Sequence, residues 1–65
     1  MGFEEFFSKV EALAAQIGAQ FSAQIDEKNR YVAVFPDDDI TVFGNSVAPS
    51  VMVQTGSGRL YRAVL

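Results

Sequence analysis

FEEFFSKVEALAAQI, residues 3–17, decides the fold of this chain. Apolar side chains recur at Phe3, Phe6, Phe7, Val10, Leu13, Ala14 and Ile17. Those are the three- and four-residue steps of an α-helix with one wide buried stripe. Glu4, Glu5, Ser8, Lys9, Glu11 and Gln16 take the opposite face. Carboxylates in the first turn favour the positive end of the helix dipole, and Glu5 precedes Lys9 by four residues in the better orientation. Neither Met1 nor Gly2 is a strong N-terminal cap. Gly18 stands one step past the stripe, where a left-handed terminating residue is expected, so the helix should end there.

The residues after Gly18 admit two readings. Phe21 and Ile25 extend the helical spacing, and a helix to about Asp26 would hold Gly18 inside it at about 1 kcal/mol. Against that, Phe21, Ala23 and Ile25 alternate with Ser22 and Gln24, the period of a half-buried strand. The strand, over about 20–25, is the better reading. DEKN at 26–29 then turns the chain into YVAVF at 31–35, a continuous apolar run of the kind covered on both faces.

Pro36 and the aspartates behind it make a turn, and ITVF at 40–43 is the next strand. Gly44-Asn45-Ser46 turns again, a strand comes next at 50–55, and Gly56-Ser57-Gly58 closes a hairpin into 59–64. Connections this short join antiparallel neighbours. The predicted fold is α+β, a single domain over 1–65. Its N-terminal amphipathic helix packs on an antiparallel meander of four to five strands. One helix cannot cover both faces of such a sheet. Curling into a small barrel, or pairing with another copy, would cover the second.

Sixty-five residues lie near the lower size for a self-sufficient core. There is no cysteine for a disulfide and no histidine, so thiolate and imidazole metal sites are excluded. The net charge is −3, unevenly spread. Residues 1–39 carry all eight acids and three bases, whereas 40–65 carry only Arg59 and Arg62. An acidic chain lacks the electrostatic footprint of a general nucleic-acid binder. No apolar run approaches the roughly 20 residues of a membrane span, and no basic-then-apolar leader opens the chain. The expectation is a soluble cytoplasmic protein without a membrane partner.

Candidate chemistry is sparse. Asp37, Asp38 and Asp39 are the densest acidic cluster, but their spacing matches no calcium loop and reads as a solvated turn. Gly56-Ser57-Gly58 resembles the start of a phosphate-cradling loop, yet RLYRAVL behind it reads as a strand rather than a helix. Without His or Cys, no Ser, Thr or Lys sits in a recognisable activating arrangement. No catalytic residue, cofactor or metal site is predicted. The acids at 26–27 and 37–39 lie at opposite ends of one strand, which argues against a single acidic stripe mimicking nucleic acid.

Two functions from different classes are compatible with these residues. The leading expectation is a small non-enzymatic protein-binding or assembly module, acting as a homo-oligomer through its sheet. Its interface would use the last strand, Arg59, Leu60, Arg62, Val64 and Leu65, an apolar edge blunted only by two arginines. The alternative is a small nucleic-acid- or ligand-binding β-barrel presenting Arg30, Tyr31, Arg59 and Tyr61 as a basic-aromatic surface.

Overall fold

A helix, α1, spans Phe3–Ile17 in the computed structural model, which describes residues 1–65. Gly18 ends it in the left-handed region (φ 66°, ψ 32°), and the Gly18 and Ala19 amides both donate to the Ala14 carbonyl. The helix does not run on to Asp26. At the other end no side chain caps the helix. The start is fixed instead by Met1, whose ammonium donates to the carbonyls of Asn45, Ser46 and Ala48 at 3.3–3.4 Å. The Tyr31 hydroxyl donates to the Met1 carbonyl at 3.0 Å. The weak cap is thus compensated by tertiary contacts that sequence periodicity cannot show.

Five strands complete the chain: β1 Ser22–Ile25, β2 Tyr31–Phe35, β3 Ile40–Gly44, β4 Val51–Thr55 and β5 Leu60–Ala63. They form one antiparallel sheet in the order β1-β2-β3-β4-β5, every strand beside its sequence neighbour. The predicted turns at 26–29, 36–39 and 56–58 are present, whereas Gly44, read as the start of a turn, is the last residue of β3 and pairs with Tyr31. Asn29 takes a left-handed conformation in the β1–β2 turn, Asp39 does so in the β2–β3 turn, and Gly58 in the β4–β5 turn. The outer strands are shorter than expected because Gln20, Phe21, Arg59 and Val64 lie outside the ladder.

The sheet does not close into a barrel. Strands β1 and β5 are the two edges and do not pair. Helix α1 occupies the face that a barrel would turn inward, so the sheet packs on the helix rather than on itself.

The core lies between helix and sheet. Phe6, Val10 and Ala14 meet Tyr31, Ala33, Phe35, Val42 and Val51, all buried. The buried stripe is narrower than the sequence pattern. Phe7 is 36% exposed and Ile17 51% exposed, both at its margin. The Phe7 ring rests on Phe21 at 5.3 Å between centroids, while Phe6 sits fully inside. A Cβ on Gly44 would come within 2.8 Å of the Phe6 ring, so glycine is what lets that ring reach the sheet.

Candidate interaction surface on the open sheet face

Strand alternation sends half of every strand away from the helix, and the registers give those residues an order. Gln24 pairs with Val32, Val32 with Phe43, Phe43 with Met52, and Met52 with Arg62. This row crosses all five strands. A second row runs beside it through Ser22, Val34, Thr41, Gln54 and Leu60. YVAVF is therefore not covered on both faces. Tyr31, Ala33 and Phe35 are buried, whereas Val34 is 38% exposed and Val32 half-buried. The helix is a single layer and leaves the outward valines to the surface.

A shallow groove of about 500 Å³ crosses this face. Phe43, Met52 and Leu60 make its apolar floor, and its charged members are Arg30 and Arg62, with no acid in the lining. Leu60 is 58% exposed at the rim of this groove. On a chain of net charge −3, this is a locally basic spot.

Arg30 is held in place by the turn that precedes it. Asp26 Oδ1 accepts the Lys28 and Arg30 amides at 2.9 and 2.8 Å, and Oδ2 accepts Arg30 Nε at 2.8 Å. The Arg30 amide is the largest influence keeping the Asp26 carboxyl below its ordinary value. Desolvation opposes that shift, while the Arg30 guanidinium and the Lys28 amide reinforce it.

The residues singled out from sequence are not brought together. Of the basic-aromatic set, Tyr31 is a core residue at 6% exposure and offers no ring for stacking. An unbroken apolar run conceals that its odd-numbered members face the helix. Arg59 and Tyr61 lie on the helix side of the sheet, the hydroxyl of Tyr61 accepting from Arg59 Nη1 at a long 3.5 Å. Arg30 alone reaches the open face. Of the proposed interface, Leu60 and Arg62 line the groove. Leu65 instead packs at the edge of the core, its carbonyl accepting from Lys9 Nζ at 2.6 Å, and Val64 is 80% exposed.

Sequence reasoning misses Phe43, Met52 and Gln54. Their signal is in the sequence all the same: ITVF and VMVQT each place alternate residues on the face opposite the buried Val42 and Val51. Asp37, Asp38 and Asp39 form an exposed turn closed by the Asp38 amide on the Phe35 carbonyl at 3.2 Å, and no three acids converge on one point. No helix is long and apolar enough to cross a membrane. Comparison with protein families, with curated proteins and with solved structures finds no match for this chain.

Proposed function

We propose that this protein is a non-enzymatic binding module that works by self-association, with the open sheet face as its contact surface. The observation that carries this reading is the one-sided cover of the sheet. Val32, Val34, Phe43, Met52 and Leu60 all face away from the only helix. An antiparallel sheet can leave one face to solvent, but here Val32, Phe43 and Met52 form a continuous apolar row across that face instead of the usual polar one. Five strands at about 4.8 Å spacing and about 16 Å of paired length present about 400 Å² of flat face. That is small beside the roughly 800 Å² per partner of a standard interface, so the assembly is a weak one. Sedimentation equilibrium across concentration tests it. A dimer forming in the micromolar range is expected, and a 7.1 kDa monomer throughout would overturn the reading.

One observation favours a second reading. Arg30 and Arg62 flank Phe43 in the groove, a combination suited to a phosphate-linked strand with a stacked base. Titration with single-stranded DNA and RNA at two salt concentrations separates the readings. Binding that weakens steeply with salt would favour nucleic acid over self-association.

A further inference from the structure

We infer that the groove on the open face is a binding site for a small organic anion with an apolar body. The inference does not rest on self-association, since it concerns one copy of the chain and a free small molecule. The groove lining holds two of the chain's five bases, Arg30 and Arg62, and none of its eight acids. Negative charge is what this surface lacks, so a complementary occupant brings it.

Both guanidiniums have donors left over. That of Arg62 takes part in no hydrogen bond or ion pair within the protein. Arg30 gives only Nε to Asp26 Oδ2, at 2.8 Å, which leaves its two Nη groups unused. A guanidinium presents its N–H groups as a planar fork that fits a carboxylate side-on. Asp26 holds Arg30 from the turn without being part of the groove lining, so it fixes the arginine and leaves the groove empty of acid.

The two arginines stand at opposite ends of an apolar floor. Arg62 pairs with Met52 on β4, Met52 pairs with Phe43 on β3, and Arg30 lies two residues before Val32 on β2. At about 4.8 Å per strand, the backbones of Arg30 and Arg62 are about 15 Å apart. One anionic head therefore meets one guanidinium, and the body lies across Phe43 and Met52. Arg62 is the stronger anchor because it has no partner of its own. A volume of about 500 Å³ suits one small molecule.

The net charge favours a short anion over a long one. Acids outside the groove act weakly on a compact ligand, because salt screens charges beyond about 8–10 Å. A nucleic-acid strand running out of the groove meets more of a chain whose net charge is −3.

NMR on dilute protein tests this, with decanoate, decanol and acetate as probes and the Met52 methyl and Phe43 ring as reporters. Decanoate should shift both reporters at least about threefold more tightly than decanol, the gain of one partly exposed charge pair. Acetate should shift neither. Arg62 is exposed, so Arg62→Gln leaves the fold intact, and it should bring decanoate down to the affinity of decanol while leaving decanol unchanged. Equal binding of decanoate and decanol to the native protein would overturn the anion site and leave only an apolar patch. Decanoate shifts confined to Leu13 and Val64, beside Lys9, would place the site in the wrong groove. A single-stranded oligonucleotide that moves the reporters where decanoate does not would overturn the inference in favour of nucleic acid. Self-association is read separately by sedimentation, so either idea can fail without the other.

Discussion

The two faces of the sheet are made from the same strands, yet they differ in what a side chain meets. On the helix side Ala33 and Val42 are fully buried, and Val51 is 1% exposed, against Phe6 and Val10. One position along, Val34 and Leu60 are 38% and 58% exposed. Residue type does not explain the contrast, since valines stand on both faces. What differs is the second layer, which the chain supplies on one side and not on the other. Apolar composition therefore measures the potential for burial, and layer count decides how much of it one chain realises.

Substitutions should separate the faces, beginning with the deepest residue. Phe6→Ala should cost about 3–5 kcal/mol, enough to unfold a domain of this size, as read by urea melts at low protein concentration. Phe7→Ala, one residue along, should cost distinctly less because its ring sits at the margin against Phe21. Equal losses would show that the two rings are not divided as described.

Next comes Gly44→Ala, which drives a methyl into the Phe6 ring and should cost about 1–3 kcal/mol. Combined with Phe6→Leu, the added penalty should shrink, because the clash is with the ring. Strictly additive losses would show that it is not.

The open face should respond in the opposite manner. Phe43→Lys should leave monomer stability within about 1 kcal/mol, as surface changes do, while weakening dimerisation more than tenfold in sedimentation. Loss of folding in that variant at low concentration would mean that Phe43 belongs to the monomer's core.

The smallest effect belongs to the rim. Asp26→Asn removes the charged partner of Arg30 and should broaden its Nε resonance without changing the sheet. The folded Asp26 carboxyl titrates below its unfolded counterpart. Its stabilisation of the turn is therefore present above the unfolded value of about 3.9 and lost as pH falls through the lower folded one. An Arg30 resonance unchanged from pH 6 down to pH 2 would contradict that link.

The helix, the turns and the strands were legible because each carried a local signal, whereas the order of the strands in the sheet and its failure to close into a barrel come from the structure. Gly18 marked a left-handed stop, and the turns at 26–29, 36–39 and 56–58 held the residues that tolerate such conformations. The surface was less legible. YVAVF contains no polar residue to mark its outward side, so only register with Val42 and Gly44 shows that Tyr31 points in and Val32 out. Nor does spacing along the chain reveal that Arg30 and Arg62 share a groove across the sheet, while Arg59 faces the other way.

The strictly sequential strand order also bears on how the chain reaches its structure. Each strand needs only the preceding hairpin to find its place, so most pairing closes short loops and little chain entropy is lost before contacts form. Pairing between sequence neighbours keeps the sheet contacts local, and local contacts favour faster folding than distant pairings do. Strand pairing is therefore a local task, and docking of α1 across several strands is the one step that joins distant parts of the chain. Mutations at Phe6 should accordingly raise the unfolding rate and slow folding only to the extent that the helix docks in the transition state.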